Sequence, residues 1–339
     1  MDIRISNNNI NKNARYPTVI QSIKKHFKIN KLHNIDVTCL VQLSDSKIAT
    51  GSFCSLSICK INYSSREWIK LIQKSNAHLS WIWYLLKLKN SKMASCSEDR
   101  MIKIWDLSIS NTITLESSIL GHSNSVWQVI ALSNNRLASI SYDNTIKLWE
   151  NDLYLKIDIP FEKQKNTPCC IFQLKNQIET LCVNIKCDEF CEGYIVFYNL
   201  IKPFNKKGIL KNIYTTWSHG IVELDNGYLA LSRVKPLPSR IIIIDPFKYE
   251  IIAEVINEEF IQKESCGSLC ALGNSIYYAL YGCFCQIMCV NGEYQITFKI
   301  KVRKEELYGW DLILIENGHY VISNTINNNQ GLTIYQCKY

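Results

Sequence analysis

Six histidines, fifteen cysteines and several regularly placed aspartates are the residues from which this chain could build a reactive centre. Asp99 and Asp143 suggest a carboxylate pair, the arrangement used for general acid and base work. Cys187 and Cys191 bracket Asp188-Glu189-Phe190 and could offer thiolates to a metal; Cys266/Cys270 and Cys285/Cys289 share that spacing. The metal reading lacks its other ligands, because no Cys-x-x-Cys pair and no matching histidine pair accompanies them. Cys266, Cys270, Cys285 and Cys289 lie in apolar runs, where a thiol packs as a small hydrophobe. No Gly-rich phosphate loop, Gly-x-Ser-x-Gly elbow or His-Glu-x-x-His occurs. The expectation is a protein without a catalytic residue, a metal or a cofactor.

The same residues make sense as a repeat. His78 to Asp99 is 21 residues, as is His122 to Asp143, and each aspartate stands six residues before a tryptophan, Trp105 or Trp149. Equivalent places in separate units explain the two aspartates better than a carboxylate pair does. Between the marks of the stretch 121–150 lie short alternating runs: Val126, Gln128, Ile130, then Leu137, Ser139, Ser141, then Thr145, Lys147, Trp149. Period-two alternation between closely spaced turns predicts antiparallel strands and leaves no room for a helix.

The polar turn before Leu137 recurs along the chain. It precedes Ile48, Met93, Leu137, Ile178, Tyr228, Ile276 and His319. The mean spacing of about 45 residues is that of a four-stranded blade. The count is seven units. Each has a third strand, ending near Ile58, Ile104, Leu148, Val196, Ile243, Ile287 and Ile334, and the first six have a fourth. The seventh lacks one, while a spare run, His26-Phe27-Lys28-Ile29, stands at the start of the chain. The fold expected is all-β: a seven-bladed propeller of four-stranded antiparallel blades, closed by an N-terminal strand near residues 23–31. Residues 1–14, polar and Asn-rich, are expected to be a disordered tail, and 15–339 a single domain.

These motifs resemble the WD-repeat family of β-propellers, over about residues 23–339. Units two and three match well, with His78, Ser97, Asp99 and Trp105 in one and His122, Ser141, Asp143 and Trp149 in the other. The resemblance implies that these side chains form a buried hydrogen-bonded set that rigidifies each blade. In unit one, Cys54 stands at the aspartate position, Lys60 at the tryptophan position, and His33 is retained. Unit five keeps Trp217-Ser218-His219-Gly220 but has Ile244 where tryptophan would be. His33, His78, His122 and His219 share one repeated position, which gives them a structural role. His319, in a Gly-His-Tyr turn, is assigned none.

Composition fits this reading. The chain is 47% hydrophobic and 20% charged, ordinary for a folded domain with an ample core. It has no apolar window long enough for a transmembrane helix and no secretory h-region, and its cysteines are odd in number. A reducing compartment, the cytoplasm or the nucleus, is expected, with reduced thiols. A net charge of +8 comes with basic clusters at 24–28, at Lys202 with Lys206-Lys207, and at 299–304. They alternate with apolar residues as the outer face of a strand does, so nucleic acid is not the expected partner.

What remains is a surface. The resemblance implies that partners meet the face carrying the second-to-third-strand turns and the interblade loops. Phe53, Glu98 and Tyr142 project there, each beside the turn's aspartate position. Trp83 and Trp127 each lie five residues after a repeat histidine, and either wedge between blades or anchor an interface. Arg233, Lys235 and Arg240 sit in a proline-stiffened insertion of unit five suited to an acidic partner, and a second insertion spans 184–193. The function expected is a non-catalytic scaffold or adaptor that presents this face to proteins or peptide segments within a multiprotein complex. A substrate receptor of a ubiquitin ligase, an RNA- or anionic-lipid-binding propeller and a propeller-fold hydrolase are the alternatives.

Overall fold

The computed structural model describes residues 22–133, 136–150, 153–155, 166–187, 193–201, 205–213, 221–233, 240–256, 268–280, 283–301, 312–315, 319–324 and 331–338. The first blade is β2 (Cys39–Ser44), β3 (Lys47–Gly51), β4 (Leu56–Asn62) and β5 (Glu67–Lys74), and β1 (Ser22–Ile29) precedes it. The second is β6 (Ile82–Lys87), β7 (Lys92–Ser97), β8 (Met101–Asp106) and β9 (Thr114–Leu120). The third is β10 (Val126–Ala131), β11 (Leu137–Ser141), β12 (Ile146–Glu150) and β13 (Leu153–Leu155). The fourth is β14 (Asn166–Gln173), β15 (Thr180–Cys187), β16 (Gly193–Asn199) and β17 (Lys206–Lys211). The fifth is β18 (Ile221–Glu223), β19 (Leu229–Arg233), β20 (Arg240–Asp245) and β21 (Glu250–Ile256). The sixth is β22 (Ser268–Leu272), β23 (Ser275–Leu280), β24 (Cys283–Val290) and β25 (Glu293–Lys301). The last is β26 (Leu312–Ile315), β27 (His319–Asn324) and β28 (Gly331–Lys338), and β1 is its outermost strand.

All seven sheets are four-stranded and antiparallel, six of them meanders of consecutive strands and the last a three-stranded meander completed by β1, and together they make a seven-bladed β-propeller. β1 pairs with β28 in a register that sets Ile29 opposite Leu332 and Phe27 opposite Ile334. The innermost strands pack side by side from the first blade to the fourth and from the fifth to the last, and β2 of the first blade meets β26 of the last. A meander fixes two ends for every blade. The turns joining strands one to two and three to four lie at one end, and those joining two to three at the other, with the interblade loops.

Burial follows from stacking blade on blade. A middle strand is covered on both faces, so Ile241 to Ile244 of β20 and Ile195 to Tyr198 of β16 are buried without alternation. An outermost strand has one face against its neighbour, and β21 alternates through most of its length. Each apolar layer is shared by two blades: Ala49 and Ile58 of the first meet Ile82, Met93 and Trp105 of the second. Ile29, Leu332 and Ile334 pack with Leu40, Ile48 and Ile61, so the layer between last blade and first includes β1. Polar clamps reinforce the stacking, with the Ile171 amide donating to Gln128 Oε1 at 2.8 Å and that of Lys175 to Glu223 Oε2 at 2.7 Å.

Two readings change. The turn of the first blade is one residue shorter than those of the second and third, so the register places Cys59, not Lys60, opposite Ile48, where the second blade sets Trp105 opposite Met93 and the third sets Trp149 opposite Leu137. The apparent insertion at 184–193 begins as an extension of the β15–β16 ladder, with Asn184 opposite Ile195 and Lys186 opposite Gly193. Residues 188–192 lie outside the described residues, as do 1–14.

Candidate functional site: an aromatic row over three blades

The site rests on two histidine networks. His78 Nδ1 lies 2.8 Å from Asp99 Oδ2, and its Nε2 lies 2.7 Å from Ser95 Oγ, which also accepts the indole N–H of Trp105 at 2.7 Å. The third blade repeats this: His122 to Asp143 at 2.9 Å, His122 to Ser139 at 2.7 Å, Trp149 to Ser139 at 2.8 Å. The proton order follows from the donors. Tryptophan can only donate, so the serine gives its own proton to Nε2, and the imidazole gives its Nδ1 proton to the carboxylate. Ser97 and Ser141 act differently, each accepting the amide of the aspartate two residues on, at 3.1 and 3.0 Å. The hydroxyls that join histidine to tryptophan are instead those of Ser95 and Ser139. Neither stood out in the sequence, although both lie 17 residues after their histidine.

Electrostatics fix the protonation states. Burial lowers the pKa of His78, against the raising effect of Asp99, so the ring is neutral. Burial alone would raise Asp99, but hydrogen bonds and charge from His78 and the amides of Leu79 and Met101 outweigh it and hold the group at about 2. Asp143 is pushed down in the same way by His122, Thr145 and the amide of Ser123. In the first blade, His33 Nε2 meets Thr50 Oγ1 and Nδ1 meets Ser55 Oγ, both at 2.8 Å. Ser55 thus supplies the partner that Cys54 does not. With no carboxylate there, burial and the nearby charge of Lys70 lower His33 to about 4.

The networks hold the turns that carry the surface residues. Asp99 Oδ2 accepts the amide of Leu79 at 2.9 Å, which ties the loop entering the second blade to its second-to-third-strand turn. Within that turn the Glu98 amide donates to Trp81 O at 2.9 Å, and Ser80 Oγ donates to Glu98 Oε2 at 2.5 Å. In the third blade the Tyr142 amide donates to Ser125 O at 2.9 Å. Trp83 and Trp127 sit at register irregularities, between Ile82 and Tyr84 and between Val126 and Gln128. An extra residue in one strand re-aims its side chain, so the two bulges set both indoles outside the ordinary alternation.

The outcome is a continuous row of five rings. Phe53 meets Trp81 edge-on with centroids 5.4 Å apart, and the two residues also form an isolated bridge between the first and second blades. Trp81 stacks on Trp83 at 6.2 Å, Trp83 meets Trp127 at 5.0 Å, and Trp127 meets Tyr142 edge-on at 6.2 Å. Such offset and edge-on pairs are favourable beyond the area they bury. Phe53 is 41% and Tyr142 46% exposed, so the row emerges to solvent at both ends, while its three indoles are half-buried. Trp81 is the member that repeat position does not single out. Its signal was the Trp81-Ile82-Trp83 triplet, which sets two indoles on one side of an extended segment.

The other candidates fall elsewhere. Arg240 opens β20 and is ion-paired to Glu254 on β21 at 2.5 Å. Arg233 stands opposite Arg240 in the ladder, and Lys235 lies outside the described residues, as do Trp217, His219 and Cys191. Among the described residues no three His, Cys, Asp or Glu side chains come together as a metal site. No described helix is long and apolar enough to cross a membrane.

Comparison with known proteins agrees with this architecture. The family model "WD domain, G-beta repeat" matches residues 69–106 and 113–150, which contain most of the second and third blades. No curated protein matches the sequence. The crystal structure of the WD40 β-propeller domain of Doa1 superposes with a TM-score of 0.69 at 14% identity, covering 93% of this chain and 97% of that one. With the repeat's sequence in the second and third blades and its architecture in seven, the chain is a seven-bladed β-propeller that carries WD repeats in those two blades.

Proposed function

We propose that this chain is a non-catalytic interaction platform within a larger assembly, and that its partner-binding face is the end of blades one to three where the aromatic row emerges. The observation that carries this reading is the row itself: Phe53, Trp81, Trp83, Trp127 and Tyr142 in unbroken contact, with both ends exposed. Large, stiff aromatic side chains give up little conformational entropy on binding and dominate the energetic centres of interfaces. The histidine networks fix the loops beneath, so little ordering is left for the encounter. A peptide segment or a neighbouring subunit laid across three blades would cover the row, with Glu98 available to a cationic side chain at its edge.

The histidines support a non-catalytic role. Both ring nitrogens of His78 and of His122 are engaged, and both rings are buried. A general base needs one nitrogen open to a substrate proton.

The test is co-purification with wild type against Phe53→Ala combined with Tyr142→Ala, which trims only the exposed ends of the row. Partner recovery is expected to fall at least tenfold, with the thermal midpoint within about 2 °C of wild type. Full recovery of every partner by a folded double variant would show that the face lies elsewhere.

A further inference from the structure

The opposite end of the first two blades carries a second site. There the β6–β7 turn and the β8–β9 turn stand beside the first blade and enclose a cavity of about 410 Å³. That lies within the range of roughly 300–1,000 Å³ typical of ligand pockets. Its floor is apolar, formed by Ile58, Leu71 and Ile72 of the first blade and Leu107 of the second, all part of the layer the two blades share. Its rim is cationic, with Lys47, Lys87, Lys89 and Lys92 and no carboxylate in the lining. Glu116 engages Lys92 from β9, and the adjoining Asp106 accepts the amide of Ser108 at 2.8 Å. Ile109, 66% exposed, stands at the edge of the groove.

The walls are preformed. Leu88 N donates to Lys92 O at 2.9 Å and Thr112 N to Ile109 O at 3.2 Å, closing each turn on itself. Leu107 N donates to Ser91 O at 2.9 Å and ties one turn to the other. Asn90, Ser91 and Asn111 hold positive φ, a conformation asparagine tolerates better than most side chains.

We propose that this groove binds a short acidic peptide segment with an aliphatic or aromatic anchor. An excess of ammonium groups over an apolar floor complements carboxylates flanking an apolar side chain. The polar side chains of Asn90, Ser91, Ser110, Asn111 and Thr112 suit the amides of a peptide, which an acyl chain would leave unpaired. The site is independent of the aromatic row, at the other end of the blades, so either can fail alone.

Fluorescence anisotropy with three dye-labelled hexapeptides tests this: EDLFDE, the charge-reversed KKLFKK and the anchorless EDSSDE. EDLFDE is expected to bind and to weaken at least fivefold between about 20 and 300 mM salt. The other two are expected to bind at least tenfold more weakly. A Lys87→Glu, Lys89→Glu double variant, altered at two exposed positions, should lose EDLFDE at least tenfold with its melting curve unchanged, and Ile109→Ser should weaken it severalfold. No binding of EDLFDE at about 1 mM peptide and low salt, or equal binding by the double variant, would overturn the proposal. So would sedimentation with phosphatidylserine vesicles, abolished in the double variant while no peptide binds, because the groove would then serve a membrane surface.

Discussion

Removing the Ser139 hydroxyl should destabilise the whole propeller through two groups at once. Ser139 is fully buried, accepts the Trp149 indole proton at 2.8 Å and faces His122 Nε2 at 2.7 Å. Ser139→Ala leaves a buried donor and a buried acceptor unsatisfied, each costing about 1–3 kcal/mol, so a loss of about 3 kcal/mol is expected. At an unfolding entropy of about 2.1 cal/mol/K per residue, a chain of this length would melt about 4 °C lower. The decisive measurement is a double-mutant cycle by urea denaturation. Trp149→Phe removes the indole donor, so Ser139→Ala should cost at least about 1 kcal/mol less in that background than in wild type. Ser141→Ala, whose hydroxyl serves the Asp143 amide and Asn124 O, should add to Trp149→Phe within about 0.5 kcal/mol. Ser139→Thr should retain stability, because the first blade holds Thr50 at that place against His33. Additive costs for Ser139→Ala and Trp149→Phe would refute the bridging role.

Two further outcomes follow from the ends of the ring. Deleting residues 1–31 removes β1, with Phe27 and Ile29 from the layer between last and first blades, and should lower the melting temperature by several degrees; deleting 1–14 should leave it unchanged. Equal midpoints for the two truncations would refute a closing role for β1. The first blade should also be acid-sensitive, because His33 titrates near 6.5 when unfolded and about 4 when folded. Between those values the unfolded chain binds the extra proton, so stability falls as pH falls, by about 3 kcal/mol across the window. Urea midpoints at stepped pH should show a slope shallower by close to one proton in His33→Gln, and identical slopes would refute the assignment.

How much of this was legible in the chain depends on whether a residue obeys the repeat. Trp83 and Trp127 lie 44 residues apart, one unit, and neighbouring blades set equal positions side by side, so their contact follows from the spacing. Tyr142 and Glu98 stand in equivalent turns for the same reason. Trp81 could not be found that way, because Ser125 occupies its place in the next unit, and its contact with Phe53 arises from a local bridge. Ser95 and Ser139 were equally regular, but a serine in an alternating strand reads as an outward polar residue until a tryptophan ten residues on is seen to need an acceptor. The first blade misled by one residue: a turn shortened after Thr50 moved the tryptophan position from Lys60 to Cys59, and counting assumes constant turn length. The lysine groove was invisible for a different reason. Lys47 belongs to one blade and Lys87 and Lys89 to the next, and in sequence each reads as a solvated turn residue. Only the stacking of blade on blade brings their charges together over a shared apolar floor. Repeat arithmetic therefore recovers what each blade does alike. What one pair of blades does differently needs the packed structure, and in a propeller those departures are where specificity for a partner must reside.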